Sequence, residues 1–282
     1  MYSAKDRGLG VCVYDVSLNE HSPERLGLLG QLRRAIDNRE LVLHFQPKVA
    51  LPGVGVCGVE ALVRWQHPQR GLIPPGEFIP LGERTPLIRP LTRYVVDAAL
   101  EQCARWHDAG RSLAVAVNVS ARNLLDEHFV DEVQELLAHW RVPASCLELE
   151  VTESAIMADP DRARRILTRL AECGVTLSID DFGAGYTSLA QLKDLPVHQL
   201  KIDRSFVAPM TEDPGNALIV RSVVELGHNL GLTTVAEGVE DEATYDSLSA
   251  MGCDVAQGYY VCRPMPAEQL EVWFDATVAV RA

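Results

Sequence analysis

Long apolar runs are missing from this sequence. None of its 282 residues belong to a stretch approaching the roughly 18 consecutive apolar residues of a bilayer-spanning helix. Met1 to Asp15 include Lys5, Asp6, Arg7 and Asp15 and lack the apolar block and small-residue cleavage site of a secretory leader. Positive charge is scarce: 26 Lys and Arg against 39 Asp and Glu leave a formal net charge of −13. That excess works against clinging to a nucleic-acid backbone or to an anionic membrane. Seven cysteines lie scattered at positions 12, 57, 103, 146, 173, 253 and 262. With an odd number and no C-x-x-C spacing, they indicate neither a disulfide framework nor a thiolate metal site. They read as small buried hydrophobes of a protein kept in a reducing cytoplasm. No low-complexity segment and no G-x-G-x-x-G after a strand-like run is present.

What the chain does have is material for one large core, with 47% hydrophobic and 23% charged residues. Short apolar runs recur at Leu41–Gln46, Gly58–Leu62, Leu113–Val119, Leu147–Val151, Thr176–Ile179, Gln199–Ile202, Thr233–Ala236 and Val255–Val261. Helical spacing fills the intervals Pro90–Gly110, Asp126–Trp140, Pro160–Gly174, Pro214–Gly231 and Asp241–Gly252. The last three end at a glycine followed at once by the next apolar run. Strand, helix, glycine, strand is the pattern of parallel α/β folding, and this length suits a closed (β/α)8 barrel. A doubly wound open sheet is the alternative.

Carboxylates collect where such a barrel opens. Glu60 falls in the second run, Asn118 ends the third, and Glu150 ends the fourth with Glu153 just beyond. Asp180 and Asp181 end the fifth, Lys201 and Asp203 close the sixth, Glu237 follows the seventh, and Gln257 lies in the eighth. A single Asp at a strand end is ordinarily a helix cap. Capping does not account for carboxylates set inside apolar strands at successive ends. Crowded carboxylates repel unless something positive neutralises them. Hard divalent cations do so with oxygen ligands, and the absence of His and Cys at these ends disfavours zinc. Successive strand residues point to opposite faces. If Asp180 and Asp181 both serve one cation centre, one of them has to leave regular strand geometry.

Phosphate chemistry fits the remaining features. Phe182-Gly183-Ala184-Gly185-Tyr186-Thr187-Ser188 is a glycine-rich loop behind the double Asp, which read by itself is equally a plain turn. Lys201 in a strand needs an anionic partner if buried. Arg64, two residues past Leu62, is placed either to hold a phosphate oxygen or to sit exposed at the strand end.

Glu60-Ala61-Leu62 followed by Val63-Arg64-Trp65 resembles the signature of the EAL family of cyclic-di-GMP phosphodiesterases. Gln46-Pro47, Asn118-Val119-Ser120, Glu150-Val151-Thr152-Glu153, Asp180-Asp181-Phe182-Gly183-Ala184-Gly185, Lys201-Ile202-Asp203, Glu237-Gly238-Val239-Glu240 and Gln257-Gly258-Tyr259 match in order, from about Gln31 to the C-terminus. The resemblance implies an α/β fold, a modified TIM-like (β/α)8 barrel whose first strand is antiparallel. It implies hydrolysis of cyclic-di-GMP to linear pGpG with two Mg2+ or Mn2+ ions. Glu60, Asn118, Glu150 and Asp180 are then ligands of one metal, and Asp180, Asp181 and Glu237 of the second. Lys201 positions and helps deprotonate the attacking water, with Glu237, Glu60 and Asp180 in the catalytic set. Glu153 matches the glutamate that anchors the glycine-rich loop. Gln46, Leu62, Arg64, Asp203 and Gln257 match substrate-side positions, Gln257 also ordering water. Two departures stand out: Thr187 in place of a loop serine, and Pro86 where the family has glycine in Thr85-Pro86-Leu87-Ile88.

Met1-Tyr2-Ser3-Ala4-Lys5 and Val13-Tyr14-Asp15 resemble the end of a GGDEF (diguanylate cyclase) domain. Residues 1–22 are therefore expected to be the remnant of an upstream GGDEF domain plus linker, and 23–282 the EAL barrel. Leu26–Ile36 reads as a helix joining the two. Expected partners are cyclic-di-GMP, the upstream domain and a second copy in a homodimer, with no nucleic acid polymer and no membrane contact. A cytoplasmic location is expected. The competing reading is a catalytically silent cyclic-di-GMP receptor. Such receptors lose metal ligands or the lysine, and this chain keeps Glu60, Glu150, Asp180, Asp181, Lys201 and Glu237.

Overall fold

The structure, a computed structural model, describes residues 23–53, 55–183 and 192–279. Residues 1–22, which carry the GGDEF-like segments, and 184–191, which carry most of the glycine-rich loop and Thr187, lie outside the described residues.

The strands are β1 Leu41–Ala50, β2 Val56–His67, β3 Gly71–Ile73, β4 Ala114–Val119, β5 Leu147–Thr152, β6 Thr176–Phe182, β7 Gln199–Ile202, β8 Thr233–Ala236 and β9 Val255–Ala256. They form one sheet in the order β1-β9-β8-β7-β6-β5-β4-β2-β3, and a β1–β2 pairing closes it into a barrel that leaves β3 as an outer hairpin strand. β1 is antiparallel to both neighbours, β2 and β9, whereas the pairs from β2–β4 through β8–β9 are parallel. The expected reversal of the first strand is present.

Period-two alternation sorts the side chains. In β1, Phe45 and Val49 are buried outside the barrel while Gln46 and Lys48 point into it; in β5, Leu147, Leu149 and Val151 face out while Glu148 and Glu150 face in. The apolar core thus lies between the strands and the helices. Phe45 meets Trp106 edge-on at 5.0 Å, and Trp65 meets Phe78 at 5.8 Å. Barrel interiors of this class are usually filled with branched apolar residues. Here several interior positions carry charge.

The helices are α1 Pro23–Asp37, α2 Pro75–Glu83, α3 Ile88–Asp108, α4 Ala121–Leu124, α5 Phe129–Trp140, α6 Glu153–Met157, α7 Pro160–Glu172, α8 Arg204–Val207, α9 Pro214–Asn229, α10 Glu242–Ala250 and α11 Ala267–Ala279. Asp159, Asp213 and Asp241 cap α7, α9 and α10 through their side chains. Capping is thus the role of these three aspartates. Gly174, Gly231 and Gly252 adopt φ of 87°, 74° and 80°, the left-handed ends expected before each following strand.

Three expectations change. The eighth run, Val255–Val261, is a strand only through Ala256, after which the chain turns. Val239 N and O hydrogen-bond Gln257 O and Tyr260 N in that turn, so loop contacts replace sheet pairing. The helix expected at Leu26–Ile36 runs Pro23–Asp37, and Leu28, Leu32 and Ala35 bury themselves in the barrel's own core. α2 carries Pro80 inside it and was not legible from helical spacing; burial of Phe78 against Trp65 outweighs that proline. Pro86 sits in the turn between α2 and α3, where the Thr85 hydroxyl donates to Gly82 O and accepts from Leu87 N. That turn asks for no donor from residue 86.

Candidate active site

Lys201, fully buried in β7, is the hub. Its Nζ lies 2.7 Å from Glu150 Oε2, 3.2 Å from Asp180 Oδ1 and 2.6 Å from Glu237 Oε1. The four residues come from the C-terminal ends of β5, β6, β7 and β8, which the parallel register brings level. Glu60 on β2 joins through Asn118 on β4, whose Nδ2 donates to Glu60 Oε1 at 2.7 Å and to Glu150 Oε2 at 3.3 Å. Gln257 Nε2 donates to the other Glu60 oxygen and to Gln46 Oε1. Gln46 Nε2 in turn donates to Cys262 O at 3.0 Å.

Asp181 is the residue that leaves strand geometry. Its φ is 55°, and the β6–β7 register shifts between Ile179 and Phe182. A left-handed residue costs about 1 kcal/mol or more outside glycine, with Asp among the types that tolerate it. The turn brings Asp181 to the side that Asp180 already faces. Carboxylate oxygens of Asp180, Asp181 and Glu237 then lie within 4.8 Å of one another, a set able to hold a metal ion.

Burial and mutual repulsion raise the proton affinity of this set. Burial pushes Glu60 up to about 7, with Glu150 and Asp180 adding to it. Glu237 is pushed up to about 8, chiefly by burial and further by Asp180. Asp181 rises to about 6 through burial and the adjacent Asp180. Glu150 is the exception: burial favours its neutral form, but Lys201 and Lys48 outweigh it and hold it below the usual range. Burial likewise opposes the Lys201 charge, and four carboxylates overcome it and raise its pKa well above the ordinary lysine value.

The donor set fits a hard divalent cation. The converging side chains offer carboxylate and amide oxygens, no thiolate and no imidazole. The carboxylates held up at 6 to 8 would exchange protons for the cation on binding. Asn118 now offers its amide nitrogen to two carboxylates; turned over, it presents the oxygen.

Other expected residues stand round this centre. Glu153, buried at the start of α6, accepts from Gly183 N at 3.4 Å and so reaches the first residue after β6. Asp203 caps α8 by accepting from Ser205 N. Burial opposes its charge, but hydrogen bonding from Ser205, with the neighbouring Asp181 carboxyl, holds its pKa below the ordinary aspartate value. Arg64 is half-buried and donates to Val63 O at 2.9 Å, within electrostatic reach of Tyr259 and Glu60. A cavity of about 210 Å3 at the mouth is lined by Gln46, Glu60, Leu62, Asp180, Glu237 and Gln257 among others. Leu62 also borders an adjoining, mostly apolar cavity of about 680 Å3 between β2, α2 and α3, reached by Asn118, Ser120 and Thr152.

Three residues escaped the sequence reading: Lys48, Glu148 and Arg204. Lys48 Nζ, buried in β1, hydrogen-bonds Glu148 Oε2 at 2.7 Å and lies 3.5 Å from Glu150 Oε1. The available signal was alternation: Gln46 and Lys48, and Glu148 and Glu150, are polar at every second position of otherwise apolar strands. Arg204 was also missed. It pairs with Glu240 at 2.6 Å on the rim of the smaller cavity.

Residues 29–264 match the EAL domain. The chain is 48% identical over 272 residues to the bifunctional diguanylate cyclase/cyclic di-GMP phosphodiesterase MucR of Pseudomonas aeruginosa, covering 96% of this chain and 40% of MucR. It is 38% identical over 275 residues to the cyclic di-GMP phosphodiesterase PdeR of Escherichia coli, covering 97% of this chain and 42% of PdeR. The chain therefore spans about two-fifths of these curated relatives. Among solved structures, a MucR phosphodiesterase in complex with c-di-GMP superposes with a TM-score of 0.84 at 48% identity, over 86% of this chain and 99% of that one. The chain belongs to the EAL domain family.

Proposed function

We propose that this chain is a cyclic-di-GMP phosphodiesterase that opens one phosphodiester of its substrate to give linear pGpG. The observation that carries the reading is Lys201, buried and in contact with Glu150, Asp180 and Glu237. A structural lysine needs one carboxylate; three, joined by Glu60, Asn118 and Asp181, make a cation centre.

Glu60, Asn118, Glu150 and Asp180 would hold one Mg2+ or Mn2+, and Asp180, Asp181 and Glu237 the second. Bound cations supply the charge that ionises the attacking water and stabilises the scissile phosphate. Lys201 Nζ donates to that water and fixes its line of attack. Water adds to phosphorus, its proton leaves, the P–O3′ bond breaks, and O3′ takes up a proton. Gln257, held by Gln46 and Glu60, orders water beside the phosphate. Arg64 balances the second phosphate and Asp203 supports the substrate side. Glu153 keeps the backbone after β6 in place. The apolar cavity beside Leu62 accommodates one guanine.

The wider organisation belongs to the same proposal. Residues 1–22 are the remnant of a GGDEF domain and linker, 23–282 the EAL barrel, and the chain works as a homodimer in the cytoplasm. The two-domain name of MucR and its greater length support the first point. No helix among the described residues is long and apolar enough to cross a membrane.

The test is direct. The purified chain is incubated with cyclic-di-GMP and Mn2+, then Mg2+, and the nucleotides are separated chromatographically. The expected product is pGpG, abolished by Glu60→Ala. Intact binding of cyclic-di-GMP without product under both metals would replace this reading with that of a receptor.

A further inference from the structure

Below the cation centre the barrel holds a second charged pair. Lys48 and Glu148 are 3% and 2% exposed, and Lys48 Nζ lies 2.7 Å from Glu148 Oε2. Neither residue lines the mouth cavity. Such a pair brings little net stability over apolar residues of the same volume, because two charges have been taken out of water. It also leaves Glu148 Oε1 buried without a hydrogen bond. Stability alone does not account for it.

Its geometry gives another reason. Glu150 is fully buried, and its two oxygens are treated differently. Oε2 faces Lys201 at 2.7 Å and Asn118 Nδ2 at 3.3 Å, in the centre itself. Oε1 faces down the barrel toward Lys48 at 3.5 Å. Glu148 precedes Glu150 by two residues on β5, so both project into the barrel from one strand, and Glu148 holds the Lys48 ammonium beneath Glu150. A swing of the Glu150 side chain away from the centre would break the contact with a lysine that Glu148 holds in place.

We propose that Lys48 is a positioning residue of the metal centre: seated by Glu148, it holds one Glu150 oxygen from below so that the other stays turned toward the cation. The inference rests on the reading of Glu150 as a ligand, but not on turnover. Lys48 touches neither substrate nor the attacking water. It acts through Glu150, as partners behind metal ligands do.

The experiment is Mn2+ titration of the full chain by calorimetry, with thermal unfolding recorded on every sample. Lys48→Met with Glu148→Leu removes both charges at similar volume and is expected to fold, with Mn2+ binding at least tenfold weaker, within the roughly 10- to 100-fold range for lost ligand supports. Lys48→Gln with Glu148→Gln keeps a donor below Glu150 and should recover most of that loss. Should the Met/Leu variant not fold, Lys48→Leu with Glu148→Met removes the same donor and is read in the same way. A folded donor-free variant with wild-type Mn2+ affinity overturns the proposal. So does the failure of both donor-free variants to fold, which assigns the pair to stability. Failure of the phosphodiesterase reading looks different: no pGpG from the wild type, while the Mn2+ ranking of the variants holds.

Discussion

Lys201 Nζ stands 2.6 Å from Glu237 Oε1, and the lysine is fully buried. The strand end of β7 and the residue after β8 thus share one charge contact. Removing the ammonium leaves Glu150, Asp180 and Glu237 facing one another. Lys201→Met should abolish pGpG formation while cyclic-di-GMP binding with Mn2+ persists. It should also lower metal-free stability by about 3 kcal/mol, the scale of breaking a buried pair. Equilibrium denaturation with and without Mn2+ reads the second effect, and the cation should restore part of it.

Chelation should act on binding as well as on turnover. Cyclic-di-GMP, the proposed substrate, is a dianion and the chain carries a net charge of −13, so the mouth would attract it only through local positive charge. Excess EDTA is expected to abolish activity and to weaken cyclic-di-GMP binding sharply. Mn2+ at about 100 times its dissociation constant should add about 2.7 kcal/mol of stability. Tight substrate binding in the chelator, measured by calorimetry, would contradict the electrostatic part of this account.

Gly258 is fixed by close approach rather than by its backbone angles. A Cβ there would meet Val239 O at 2.1 Å, and Val239 N bonds Gln257 O. Gly258→Ala should cost about 1 to 3 kcal/mol, the usual range for overpacking. It should reduce turnover by displacing Gln257 from Glu60. Parallel melting curves and initial rates test both effects; unchanged rates in a destabilised variant would remove Gln257 from the active arrangement.

Asp254 gives a pH dependence remote from the metal centre. Partial burial works against its charge. The Thr234 N–H, the Thr234 hydroxyl and His228 outweigh that and hold its pKa below the ordinary aspartate value. A carboxyl depressed on folding contributes stability that is present above its unfolded pKa, about 3.9, and lost as pH falls through the folded value. Asp254→Asn should therefore be less stable than wild type at pH 7, with the difference shrinking as the pH is lowered from about 4. Urea denaturation across that range is the measurement; a difference that grows on acidification would reverse the assignment.

Much of the barrel was legible because burial against helices leaves a periodic trace. β7 at Gln199–Ile202 and β8 at Thr233–Ala236 coincide with the apolar runs, and α9 starts at Pro214 where Asp213 caps it. β9 was overread because Tyr259, Tyr260 and Val261 continue an apolar pattern after the pairing has stopped. The double aspartate was read correctly as needing one residue out of strand geometry, and Asp181 with φ 55° is that residue. Lys48 and Glu148 were not legible as a pair, because one hundred positions separate them.

The sequence by itself determined the alternation of strand and helix and the polar, mostly acidic residues at successive strand ends. These are local properties, written in period-two and period-3.6 burial and in adjacent residue types. It also carried the order of motifs that identifies the family. Tertiary structure alone decided which oxygen meets which ammonium. β1 closes the barrel by pairing Leu41–Val49 with β2 and Val49–Ala50 with Val255–Ala256, a contact spanning most of the chain. Only that closure places Lys48 beneath Glu150 and Gln46 beside Gln257. The interior charges are buried and weakly screened, so their balance depends on distances that no local pattern encodes.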